Sequence, residues 1–239
     1  MPSSLIKIRD GILDILFPPI CVVCQKSLAS AEKSTMLCAP CRASIPLFET
    51  LFCAECHARL PETKKICHED TRYRLGAAST YGNETMKSLI WNLKYQKHPV
   101  AAHTLSTLLI EYMTSLPINW STYVLVPIPL HPFRLRKRGF NQSKLLSIPI
   151  ARHFHIPSIH NVLIRVRHTP PQAKSKDHKA RKENIANCFA LRDPEKIKGK
   201  RIILVDDVTT SGATLHEAAR VVRSAGAKKV IALVAARAG

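Results

Sequence analysis

The chain has 239 residues, of which 46% are hydrophobic, and it carries 36 lysines and arginines against 17 aspartates and glutamates, a net charge of +19. That length means one to two domains with room for a core. No apolar run approaches the roughly 18 residues of a membrane span, which excludes an integral helical membrane protein.

The chain opens with "MPSSLIKIRDGILDILFPPI". Leu5, Ile8, Ile12 and Ile15 recur at helical spacing and predict an amphipathic helix. Asp10 and Asp14 deny it the apolar core of a secretory signal, so it is expected to pack on its own protein. Seven of the eight cysteines follow, all before Arg72. This compositional break divides the chain near Tyr73 into a cysteine module, 1–72, and a second unit, 73–239. A CxxC turn presents two thiolates to one tetrahedral metal, and a second CxxC completes the shell. Cys21, Cys24, Cys38 and Cys41 therefore form a four-thiolate zinc set with zinc-ribbon spacing. Disulfides are the alternative, disfavoured by the regular pairing and the missing secretory signal. Cys53, Cys56 and Cys67 make a second set whose fourth ligand is open. Asp70 keeps the C-x-x spacing from Cys67; His68 and His57 are its rivals. Cross-braced pairing, first pair with third, is equally open at this stage. Either arrangement is structural, because a closed shell leaves no position for a substrate.

Past Tyr73 the pattern alternates. "LGAASTY" predicts a strand, and "NETMKSLIWNLKY" a helix with Met86, Ile90, Leu93 and Trp91 on one side. A second helix is expected from about His98 to Ser115. "YVLVPIPL" is a buried strand stopped by Pro127 and Pro129. "GFNQSKLLSIPIARHF" is a helix that Pro149 should kink or split. Cys188 is expected as a buried strand residue. "RIILV" is a strand, "GATLHEAARVVRSAG" a helix ended by Gly226, and "KKVIALVAA" a last strand. Strands alternating with helices imply an α/β fold with a mostly parallel sheet.

The chemistry concentrates in "RIILVDDVTTSGATL". The strand would deliver Asp206 and Asp207 to the carboxyl edge of the sheet, where α/β proteins bind ligands. Gly212 and its neighbours start a helix whose free N–H groups suit a phosphate. Thr209, Thr210, Ser211 and Thr214 add hydroxyls. A phosphate site beside paired carboxylates fits a sugar 5-phosphate whose vicinal hydroxyls the acids hold. No lysine follows the glycine as a Walker A loop requires. Charge adds a second clue: residues 121–200 hold seventeen basic and four acidic residues, the clustering expected for phosphate binding and beyond what solubility needs.

"ILVDDVTTSGAT" resembles the phosphoribosyl-pyrophosphate (PRPP) signature of type I phosphoribosyltransferases. With "FPPICVVC", "PLHPFRLRKRGFNQ" and "TPPQ…ARKEN", the chain from about Phe17 to Arg237 resembles the ComF/GntX family. It departs from four-pair relatives at "CHED", where they have a further CxxC, which leaves the second zinc site open. The resemblance implies a phosphoribosyltransferase-like parallel sheet behind a small N-terminal zinc-ribbon module. Asp206 and Asp207 would hold the ribose hydroxyls, and Thr209, Thr210, Ser211, Gly212, Ala213 and Thr214 the 5-phosphate. Lys137, Arg138 and Gly139, taken as a helix start, would face pyrophosphate, with Mg²⁺ bridging pyrophosphate and ribose oxygens. In a working transferase these groups steady an oxocarbenium-like ribose as pyrophosphate leaves.

The resemblance further implies a role in natural transformation, handling incoming single-stranded DNA in the cytoplasm, at the inner membrane with other DNA-uptake proteins. Arg134, Arg136, Lys174, Lys176, Lys179, Arg181 and Lys182 would contact that strand. An active transferase on a base or amine and a zinc adaptor with a vestigial nucleotide site are the competing readings. The intact acids and Thr/Gly turn speak against the last.

Overall fold

The computed structural model describes residues 18–61, 67–68, 71–96, 99–167 and 185–238. The expected N-terminal helix lies outside them. In chain order the elements are α1 (Ala39–Ala43), β1 (Leu51–Cys53), β2 (Arg59–Leu60), β3 (Arg74–Thr80) and α2 (Glu84–Trp91), which runs into a π-helical turn (Asn92–Gln96). Then come α3 (Pro99–Ser115), β4 (Tyr123–Pro127), α4 (Pro132–Arg138), α5 (Gln142–His153), β5 (Leu163–Arg165) and β6 (Phe189–Leu191). The chain closes with β7 (Arg201–Thr209), α6 (Ala213–Ser224) and β8 (Lys229–Arg237).

Six strands form one sheet in the order β2-β1-β3-β8-β7-β4. The four strands β3, β8, β7 and β4 are parallel, while β1 and β2 extend the sheet antiparallel. The apolar runs of β7 and β8 follow from cover on both faces. Ile203 and Val205 turn to one side, where they join Leu105, Leu109, Leu146 and Ile150 of α3 and α5. Ile202 and Leu204 turn to the other, against Leu215, Ala218 and Val222 of α6. This is the two-residue period of a strand meeting the 3.6-residue period of a helix. A separate ribbon of β5 and β6 completes the second face.

The cysteine module is joined to this body. Leu28, Leu37 and Ile45 share a core with α3, Thr104 donates to the Thr35 carbonyl at 2.6 Å, and Arg42 pairs with Glu111. β1 and β2 precede the expected boundary at Tyr73, yet they hydrogen-bond into the sheet.

Four elements differ from expectation. Met86, Leu89, Ile90 and Leu93 form the buried stripe of α2 and its π turn, at i, i+3, i+4 and i+7. Trp91 falls off that stripe and is 49% exposed. The strand "RIILV" continues to Thr209, because β8 pairs with it as far as Arg237, so both acids lie within β7. Pro149 neither splits nor ends α5; only one N–H is lost there. Cys188 is buried but sits just ahead of β6.

Candidate functional site

β7 carries its two aspartates into the interior, where Asp206 is 8% and Asp207 2% exposed. Each has a dedicated partner. The Ser143 hydroxyl, at the start of α5, donates to Asp206 Oδ1 at 2.8 Å, and the Asp207 N–H donates to the same oxygen at 2.9 Å. Lys94, from the π turn, places Nζ 2.7 Å from Asp207 Oδ2. Burial, followed by the Asp207 charge, raises Asp206 to about 7, while Lys94 and Ser143 oppose that rise. Burial disfavours the Lys94 ammonium, but Asp207 and Asp206 outweigh it and hold the amine above its ordinary range. One ammonium therefore balances one carboxylate, and the other carboxyl sits at its titration point near neutrality.

The turn after β7 is built for an anion. Gly212 adopts φ +71°, the left-handed region, and precedes α6 with no side-chain cap. A Cβ there would stand 3.3 Å from both the His216 ring and the Tyr73 hydroxyl, so glycine is needed on two counts. The opening N–H groups of α6, from Ala213 and Thr214 onward, lack intrahelical acceptors. Ser211 Oγ is buried and finds no hydrogen-bond partner among the described residues. Buried hydroxyls are ordinarily satisfied. An oxyanion seated in this turn would satisfy Ser211 and the uncapped helix together, so these residues fit a phosphate. Thr209 is buried at the strand end, and Thr210 is exposed.

The basic stretch after β4 forms a helix of its own. Pro132 to Arg138 make α4, and Gly139, at φ +87°, closes that helix where it was expected to begin one. The next helix starts at Gln142, capped by Asn141, whose side chain accepts from the Ser143 N–H at 3.1 Å. Arg138 donates to Gln142 at 2.7 Å. The basic helix and the acidic pair are thus tied to one short segment, Gln142–Ser143. Arg134 is half-buried: burial, then the charges of Arg165 and Arg138, lower its pKa. The three guanidinium charges are near enough to repel one another, and an anionic ligand would relieve that repulsion. Arg136 and Lys137 are exposed. Lys174, Lys176, Lys179, Arg181 and Lys182 lie outside the described residues.

The cysteines gather in two sequential clusters, which removes the cross-braced alternative. Cys21, Cys24, Cys38 and Cys41 form one; Cys53, Cys56, Cys67 and His68 form the other, with all ligand atoms in each within 4.8 Å of one another. Cys24 and Cys38 sulfurs are 3.5 Å apart, Cys56 and Cys67 sulfurs 3.6 Å, and His68 Nδ1 is 3.4 Å from Cys53 Sγ. A tetrahedral zinc with bonds of ~2.3 Å to sulfur needs edges close to these, and a disulfide needs ~2.05 Å. His68 stands in the fourth position of the second cluster. Asp70 lies outside the described residues.

Lys94, Ser143 and Arg165 complete the site without having been singled out in the sequence. Lys94 gave one signal, a lysine between apolar Leu93 and Tyr95 in a segment expected to be buried. Arg165 gave a similar one inside "VLIRV". Ser143 gave none, because its role depends on where α5 lands.

The fold and site define a phosphoribosyltransferase-like domain behind a zinc ribbon. Residues 147–239 match the phosphoribosyl transferase domain model, and residues 12–70 match the double zinc ribbon domain model. Competence protein F of Haemophilus influenzae is 33% identical over 156 residues, covering 62% of this chain and 66% of that protein. Competence protein ComFC of Bacillus subtilis is 40% identical over 98 residues, covering 41% of this chain and 37% of that protein. The DNA utilization protein YhgH of Salmonella typhi is 30% identical over 223 residues, covering 89% of this chain and 94% of that protein. The chain belongs to this ComF/GntX family of competence and DNA-utilization proteins.

Proposed function

We propose that the protein supports natural transformation by handling incoming single-stranded DNA, and that its carboxyl-edge site binds Mg²⁺ and PRPP. The observation that carries the ligand assignment is the unsatisfied Ser211 hydroxyl within the uncapped start of α6, directly after the buried Asp206–Asp207 pair. In this reading residues 209–214 hold the 5-phosphate, and the two acids accept from the ribose hydroxyls. Arg134, Arg138 and Arg165 face the pyrophosphate. When bound, Mg²⁺ supplies charge neutralisation between the acids and the phosphates. Lys94 and Ser143 keep the two carboxylates in place before the ligand arrives. The names of the relatives, competence and DNA utilization proteins, support the cellular role. The reading places that role on the cytoplasmic side of the inner membrane, beside other uptake proteins; among the described residues no helix is long and apolar enough to cross a membrane.

The test is calorimetry with Mg²⁺ and PRPP. Asp206→Asn and Asp207→Asn each remove a charged acceptor, worth about 1.5–3 kcal/mol per hydrogen bond. The double variant should lose at least tenfold in affinity, and an unchanged affinity overturns the assignment. An active phosphoribosyltransferase is a second reading, favoured by the positioning of both acids through Ser143 and Lys94. Pyrophosphate released with a base, an amine or a DNA strand as acceptor would establish it.

A further inference from the structure

A second concavity lies away from the acidic pair. A cleft of about 1290 Å³ runs along the opposite, amino-terminal edge of the sheet, where Arg74, Tyr123, Arg201 and Lys229 open the four parallel strands. Asp206 lies five residues further along β7 from Arg201, roughly 17 Å at the rise of a strand. The cleft's row of cations is therefore distinct from the acidic pair, although Tyr73, which lines the cleft, also reaches the Gly212 turn.

Its lining is strongly one-signed. Arg59, Arg72 and Arg74 reach it from the β1–β2 ribbon and the start of β3. Arg201, Arg223, Lys228 and Lys229 reach it from the far side. Among the described residues Glu49 is the one acidic residue of the lining. Among the described residues none of the seven cations forms an ion pair. Arg201 is steadied by the Thr122 hydroxyl, and Arg223 by the carbonyls of Ala227 and Lys228. Like charges converging on a concave, low-dielectric wall focus a positive potential and draw in anions. Between the cations the wall is apolar, with Phe48, Leu51, Leu60, Leu116 and Ile118.

We infer that this cleft is a second, separate site that binds a single-stranded nucleic acid through its phosphates, with unpaired bases against the apolar wall. The volume exceeds the roughly 300–1,000 Å³ typical of small-molecule pockets, which favours a segment of polymer over a single nucleotide. Cations supplied by separate chain segments along the edge suit a string of phosphates. The apolar surface between them favours strands whose bases are exposed, which a duplex does not offer. A recessed cleft does not suit the surface of a bilayer. The choice of nucleic acid rests on the DNA-handling reading; the location is independent of the PRPP reading.

Fluorescence anisotropy with a labelled oligothymidylate across a salt series tests this on the full chain. Arg72→Glu/Lys228→Glu/Lys229→Glu should weaken binding at least tenfold and flatten the log–log salt slope by about 0.7 for each phosphate the protein no longer neutralises. Arg136→Ala/Lys137→Ala, at the other edge, should have the smaller effect. Saturating Mg²⁺ and PRPP should leave binding through the cleft in place. Zinc content and PRPP affinity check that the triple variant is folded; if it is not, Lys228→Glu alone should still weaken binding severalfold. If the wild type binds the strand and the folded cleft variants bind it equally well, the cleft assignment is wrong while DNA handling stands. If the wild type does not bind at low salt, both fall. Equal affinity for duplex or for anionic vesicles overturns the single-strand assignment.

Discussion

Asp206 is the residue where structure and titration meet. Its ordinary value is 3.8, and burial with Asp207 beside it raises that to about 7. Below about pH 4 the group is protonated in both folded and unfolded chains and contributes nothing. As pH climbs from about 4 to about 7, the folded chain keeps a proton that the unfolded chain has released, so stability falls. Above about 7 the loss is complete. Asp206→Asn should therefore gain stability over wild type as pH rises, by chemical denaturation at pH 5 and pH 8, and a difference independent of pH would refute this. PRPP affinity should run the other way in the wild type, rising between pH 6 and 8 as the acceptor ionises. Lys94 is the second residue-scale test. Removing one partner of a buried ion pair costs about 3–5 kcal/mol, and Lys94 keeps 19% of its side chain exposed, so Lys94→Met should cost about 3 kcal/mol. Lys94→Met/Asp207→Asn should recover part of that in urea denaturation, and no recovery would mean that the pair is not coupled. These partners explain why the site was only partly legible in the sequence. The acids, hydroxyls and Gly212 are adjacent in the chain, so their spacing is readable. Lys94, Ser143 and Arg165 arrive from three other segments, and only the packing of the π turn, α5 and β5 brings them in.

Elements were legible wherever one periodicity ruled. The alternation within β7 and β8 and the stripe of α6 follow directly from two covered faces. What the sequence hid was local backbone geometry. A π turn carries α2 past Trp91, a short helix occupies the basic stretch, and its glycine is a terminator and not a start. The turn before α6 offers a clean element-scale test. Gly212→Ala would force a Cβ into the left-handed region, a cost of roughly 1–2 kcal/mol, and against His216 and Tyr73. The variant should be destabilised by about that much and should lose PRPP binding, whereas Gly199→Ala, which meets no atom within 4 Å, should lose stability alone. The metal clusters give the other. Two four-ligand sets mean that purified protein should carry two zinc ions per chain. Cys24→Ser should lose one and loosen the packing of Leu28, Leu37 and Ile45 against α3, since metal-binding energy in such modules is largely folding energy. One zinc per chain, both in wild type and in His68→Ala, would show that the second cluster holds none.

At the scale of the molecule, the two sheet edges differ in their charge balance. The carboxyl edge pairs cations with buried acids, a balance that suits a compact ligand with hydroxyls. The amino-terminal edge sets seven cations against Glu49, a balance that suits a polyanion. The cysteine module links these edges to metal. Cys53 and Cys67 of the second cluster line the cleft, and β1, paired with β3 on one side and β2 on the other, contributes to its wall together with β2. Arg59 lies between the two halves of that cluster in the chain, and Arg72 follows it by four residues. In the zinc reading, an ion shared by Cys53, Cys56, Cys67 and His68 would fix the described residues on which those arginines stand. Losing that ion should displace those arginines and leave Asp206, Asp207 and Lys94, at the other edge, as they are; its one effect on α6 would pass through His216, which meets the Ala54 carbonyl at 3.3 Å and Glu55 at 3.6 Å. Cys56→Ser or His68→Ala should therefore shed the second zinc and weaken oligothymidylate binding severalfold, with PRPP affinity within about twofold of wild type. Equal loss of both ligands would mean that the module stabilises the whole fold and not the cleft. Undiminished strand binding in zinc-depleted variants would mean that the metal does not shape the cleft at all.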